Sequence, residues 1–93
     1  MQKFLLLGRY SAQGLKGASA ARSKKAVAVV RKNRGRINAI FALVGNYDLA
    51  ILAEFPQVPN LMRAVIGLSK LTGVTFASYP AVSLEEFDRK ILK

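Results

Sequence analysis

The side chains able to do chemistry in this sequence are few, and they gather at two places. Gly45-Asn46-Tyr47-Asp48 puts a phenol beside a carboxylate where a turn enters a strand. Such a pair can bind an amine or move a proton when it lines a pocket. Its plainer role is structural, with Asp48 accepting backbone amides and Tyr47 packing at the base of a hairpin. Arg9-Tyr10-Ser11 supplies a guanidinium, a second phenol and a hydroxyl at the end of an earlier strand. Arg9 is expected either to pair with Asp48 or to hold an anion in its planar fork. Strand ends that open into loops are where pockets form. A ligand site is therefore expected around Arg9, Tyr10, Ser11, Tyr47 and Asp48, with Asn38 a further candidate.

What is missing narrows the chemistry. There is no cysteine, histidine or tryptophan, which removes disulfides, histidine or thiolate metal sites and imidazole bases. No metal or cofactor is expected. An enzyme built on Tyr, Asp, Arg and Asn alone is confined to proton transfer or an already activated substrate. The lack of cysteine favours an intracellular, cytoplasmic setting. Gly14-Leu15-Lys16-Gly17 is not a phosphate-binding P-loop, having neither its spacing nor its Lys-Ser/Thr ending. No segment reads as a signal peptide or a membrane span.

The net charge of +10 is unevenly distributed, because the first acid in the sequence is Asp48. Lys24, Lys25, Arg31 and Lys32 share the outer side of a helix, with Arg22 at its margin. Such a face can track phosphates. Sequence-tolerant binding of single strands also needs aromatic side chains for bases to stack on, and Arg22 to Arg36 contains none. A solvated face is the favoured reading, and a nucleic-acid or anionic-surface partner the weaker one.

Periodicity supplies the elements that must position these groups. Lys3–Tyr10 reads as a buried strand, Ser11–Ala18 as a loop and Ser19–Asn33 as a helix with Ala20, Ser23, Ala26, Val27 and Val30 on one side. Gly35 is expected to supply a left-handed cap. Arg36–Val44 and Tyr47–Phe55 read as a hairpin turned by the two residues Gly45 and Asn46. Pro56, Gln57, Val58 and Pro59 break the second of these strands and open a helix that runs to about Leu71, and Val74–Tyr79 is a fourth strand closed by Pro80. Ser83 and Glu86 form a capping box for a last helix, with Leu84, Phe87 and Ile91 as its packing face and Lys90 and Lys93 at its far end. The whole is expected to be one domain over 1–93. Its order β-α-β-β-α-β plus a helix predicts a ferredoxin-like α+β fold, its antiparallel strands ordered 4-1-3-2.

A sheet covered by helices on one side should alternate apolar and polar residues. Here Phe4 to Leu7, Ile37 to Leu43 and Leu49 to Leu52 load both faces. Soluble monomers rarely expose apolar patches of more than several hundred Å², so a homo-oligomer paired through sheet faces is expected. Leu6 and Ile51 are expected to differ, one facing the helices and the other a partner.

Three segments in order resemble the GYD-domain family of bacteria and archaea. They are Gly45-Asn46-Tyr47-Asp48, the run from Tyr10-Ser11 to Gln13-Gly14-Leu15-Lys16, and Ser83-Leu84-Glu85-Glu86-Phe87-Asp88. Ser11 stands where threonine is commoner in the family, and the first long helix is more basic than is usual. The resemblance implies a dimeric α+β barrel, an architecture that elsewhere hosts monooxygenases and isomerases. The order of elements and the hairpin are also similar to effector-binding domains of leucine-responsive-type regulators. That second resemblance implies a small-molecule-binding or sensor module, without a helix-turn-helix within these residues.

Overall fold

The computed structural model describes residues 1–92; Lys93 lies outside the described residues. The elements are β1 (Gln2–Tyr10), α1 (Ala12–Lys16), α2 (Ala20–Lys32), β2 (Arg36–Ala42), β3 (Leu49–Phe55), α3 (Val58–Thr72), β4 (Val74–Ala81) and α4 (Leu84–Glu86). A π-helical turn, Phe87–Ile91, extends α4, closed by the Leu92 N–H donating to the Phe87 carbonyl at 3.0 Å. The strands form one antiparallel sheet in the order β2-β3-β1-β4. This is the ferredoxin-like α+β fold expected. Among the described residues, no helix is long and apolar enough to cross a membrane.

Alternation along the strands decides which side chains meet the helices. Phe4 and Leu6 of β1 and Ile51, Ala53 and Phe55 of β3 point to one side and are buried. They pack against Val30 of α2 and Leu61, Ala64 and Leu68 of α3. The Phe4 and Phe55 rings sit 6.2 Å apart in a tilted pair. Each buried Phe, Leu, Ile or Val contributes about 1.5–3 kcal/mol by leaving water, which matters in a chain this small.

One expectation is overturned by the register. Leu6 lies directly opposite Ile51, and cross-strand partners share a face. Both therefore belong to the helix-side core, and neither is available to a partner. The opposite face carries Leu5, Leu7, Leu52, Phe41 and Tyr79, aligned by the pairs Leu5↔Leu52, Leu5↔Tyr79 and Phe41↔Ala50.

Five local details also depart from expectation. Ser11–Ala18 contains α1, whose N-terminus is capped by the Ser11 hydroxyl accepting from the Gly14 amide at 2.8 Å. At the end of α2 the left-handed residue is Arg34 (φ 66°), not Gly35. Gly35 is needed for a different reason, since a Cβ there would collide with the Phe55 ring. The β2–β3 connection spans residues 43–48 rather than two, with pairing that stops at Ala42↔Leu49. Pro80 lies inside β4 opposite Phe4, which is tolerated because β4 is an edge strand. In the capping box, Ser83 accepts from the Glu86 amide at 3.0 Å, but the Glu86 carboxylate turns to Lys90 at 3.7 Å.

Candidate functional site

Five of the six expected ligand residues meet at one end of the sheet, where β1 runs out and β3 begins. Asp48 is the pivot. Its N–H donates to the Gly8 carbonyl at 2.8 Å, and its own carbonyl accepts from Leu43 at 2.8 Å. Its carboxylate accepts the Tyr10 N–H at 2.9 Å. The side chain thus supplies the next acceptor along β1 after the β3 backbone has left the ladder. The six-residue connection follows from this, because Asp48 is spent on β1 and β2 instead of beginning β3.

Successive residues of β1 point to opposite faces, and this splits the expected site in two. Arg9 goes to the open face, opposite Thr75, with its guanidinium 5.2 Å from the centre of the Tyr47 ring. Among the described residues Arg9 makes no ion pair with Asp48. Tyr10 goes to the helix face, with the Arg22 guanidinium 5.7 Å from its ring centre. Each contact is a cation–π pair. Ser11 is occupied in capping α1, and its N–H donates to the Gly73 carbonyl at 3.1 Å.

Asn38 is not part of this cluster. It sits in a β-bulge between Ile37 and Ala39, near the far end of the sheet. There the Asn38 side-chain amide and then the Arg36 guanidinium hold the Glu54 carboxyl below its ordinary value of 4.5. Arg36 reaches Glu54 at 3.1 Å, and the Glu54 side chain is only 14% exposed. Lys24, Lys25, Arg31 and Lys32 are all exposed along α2.

Tyr10 opens into a cleft of about 90 Å³ between α2 and the sheet. Its walls are apolar, from Ala26, Ile40, Leu49, Ile51, Val74 and Phe76, with Ser19, Ser23 and Thr72 adding hydroxyls. Among the described residues Arg22 is the one charged group lining it. The Arg22 guanidinium lies close over Gly17, where a Cβ would come within 2.7 Å of its Nη1. The Ser19 hydroxyl fixes the start of α2 by accepting the Arg22 amide at 3.1 Å. Sequence reasoning left Arg22 at the margin of the basic face. The run Gly17-Ala18-Ser19-Ala20-Ala21 was the available signal, since small side chains there leave room for a cleft and for one long cation over it.

An apolar cleft with a single guanidinium suits a small apolar body carrying one anionic group. A zwitterion fits less well, because its ammonium would be desolvated without a carboxylate partner.

The GYD domain family model matches residues 4–91 of the chain. No curated protein matches it significantly. Among solved structures, the chain is similar to the leucine response regulatory protein LrpA of Mycobacterium tuberculosis, with a TM-score of 0.59 and 8% identity. The likeness covers 88% of this chain and 51% of that one, so this chain spans about half the regulator's length. At that identity the likeness is one of fold.

Proposed function

From the premise that this chain belongs to the GYD-domain family, we propose that it is a cytoplasmic small-molecule-binding or sensor module that works as a homo-oligomer. Its ligand is a small organic acid with an apolar body, held in the cleft between α2 and the sheet. The observation that carries this reading is the Tyr10–Arg22 pair at the mouth of an otherwise apolar cleft. The Arg22 fork takes the carboxylate, and the Tyr10 ring is held there by the bond from its backbone to Asp48. The structural neighbour is a leucine response regulatory protein. The lack of an acid in the cleft lining favours the leucine skeleton without its amine, such as 4-methylpentanoate.

The open sheet face supports the oligomer. Leu5, Leu7, Leu52, Phe41 and Tyr79 form an apolar surface that, among the described residues, no helix covers. A second copy laid across it would form the core of a two-sheet barrel, and stable pairs bury about 800 Å² per partner. Arg9 and Tyr47 would lie at the edge of that interface.

Gentle purification followed by denaturation and mass spectrometry of the released small molecules tests the ligand reading. A near-stoichiometric small organic acid is expected. Protein that repeatedly releases only zwitterions, nucleotides or nothing contradicts it.

A further inference from the structure

Where β1 ends, Tyr10 lines one hollow and Ser11 the next. The first is the apolar cleft between α2 and the sheet. The second, of about 260 Å³, lies between α1 and the last turn of α3. The two adjoin, because Arg22 and Thr72 line both.

The second hollow has the opposite chemistry. Ser11, Gln13 and Thr72 give it polar walls, and Lys70 adds a second cation to Arg22. Among the described residues no acid lines either hollow, and neither Arg22 nor Lys70 makes an ion pair. Arg22 is half-buried and Lys70 exposed, so positive charge runs from the mouth of the cleft toward solvent. The hollow depends on a close backbone approach. A Cβ on Gly14 would come within 2.6 Å of the Thr72 carbonyl oxygen, and its absence lets α1 lie against the end of α3. A helix C-terminus ordinarily repels anions, but two carbonyls in the last turns of α3 are already occupied. Leu68 accepts the Thr72 hydroxyl at 2.7 Å, and Ser69 accepts the Gly73 N–H at 2.9 Å.

We propose that the ligand is a dicarboxylic acid with a branched apolar tail. The tail fills the cleft, one carboxylate meets Arg22, and the second lies in the polar hollow toward Lys70. This rests on the cleft reading above and extends it to the whole head group. A single carboxylate on Arg22 leaves the Lys70 ammonium and the polar walls facing only water, whereas a second carboxylate uses them. The division of labour suits the two cations, a planar fork at the half-buried position and a flexible point charge at the exposed one.

Isothermal titration of the full chain with three acids tests this. They are 4-methylpentanoate, the same acid with a carboxymethyl group on its second carbon (2-isobutylsuccinate, each enantiomer) and succinate. One enantiomer of the branched diacid should bind about threefold to tenfold more tightly than 4-methylpentanoate, a modest gain because Lys70 is exposed. Succinate, which leaves the apolar cleft empty, should bind about tenfold more weakly than the branched diacid, or worse. Lys70→Gln, at an exposed position, should abolish the diacid's advantage and leave the affinity for 4-methylpentanoate unchanged. A branched diacid no tighter than the monoacid overturns the proposal while the cleft reading stands, and so does an advantage that survives Lys70→Gln. Succinate binding as tightly as the branched diacid would separate the two hollows and overturn it as well. If none of the three acids binds, both the proposal and the cleft reading fall.

Discussion

The Asp48 carboxylate accepts the Tyr10 backbone N–H at 2.9 Å, and the Asp48 amide donates to Gly8 at 2.8 Å. One residue therefore grips the end of β1 at two successive inward-facing positions. The acid that the sequence offers as a chemical group is, in the folded chain, the fastener that aims the Tyr10 ring at Arg22.

Replacing that fastener tests its role. Asp48→Ala leaves the part-buried Tyr10 N–H without its acceptor and removes a hydrogen bond to a charged group. The expected loss is about 1.5–3 kcal/mol of unfolding free energy in urea. Asp48→Asn keeps an acceptor oxygen and should lose less than half as much. Equal losses in the two variants would mean that charge, not the bond to Tyr10, is what matters.

The sheet has one face against the core and one open apolar face, and a pair of lysine substitutions separates them. Leu6→Lys places a charge in the helix-side core opposite Ile51, and the chain should fail to fold at room temperature. Leu7→Lys, one residue on, reaches the open face and should leave a folded protein at 10.1 kDa in light scattering. Wild type should be at least twice that mass. A monomeric wild type, or an assembled Leu7→Lys variant, would rule out pairing through this face.

Glu54 sets an acid-side dependence. Its carboxyl is held low by Asn38 and then by Arg36, so the folded state favours the ionised form. The resulting stability is present above the ordinary value near 4.5 and is lost as pH falls through the lower folded value. Glu54→Gln should melt below wild type at pH 7, and the gap should close as pH is taken below 4.5. A gap independent of pH would assign the effect to packing.

Much of the fold was legible because the signals were local. The hydrophobic period placed β1, α2 and α3 within a residue or two, and Ser83 announced the start of α4. Where the reading missed, the cause was non-local. The six-residue β2–β3 connection depends on Asp48 serving β1, a strand far away in the sequence. Gly35 is glycine because the Phe55 ring presses on it, which leaves Arg34 to take the left-handed turn. The face assigned to Leu6 or Ile51 depends on register, and a shift of one residue reverses it.

The site was half legible for the same reason. Arg9, Tyr10, Tyr47 and Asp48 come together as expected, but strand alternation sends Arg9 and Tyr10 to opposite faces. Arg22 belongs with Tyr10 only once α2 is laid on the sheet. Asn38, a further candidate in the sequence, lies several residues along β2 toward Glu54.

Isothermal titration of the full chain with 4-methylpentanoate, alongside leucine, tests the central claim most directly. The account predicts saturable binding of the acid at one site per chain, with a dissociation constant of about 1 mM or tighter, equivalent to −4.1 kcal/mol or better. Leucine should bind more weakly, and Arg22→Met should abolish the acid's binding while keeping the fold. No saturable binding of the acid, or equal binding by Arg22→Met, would contradict it.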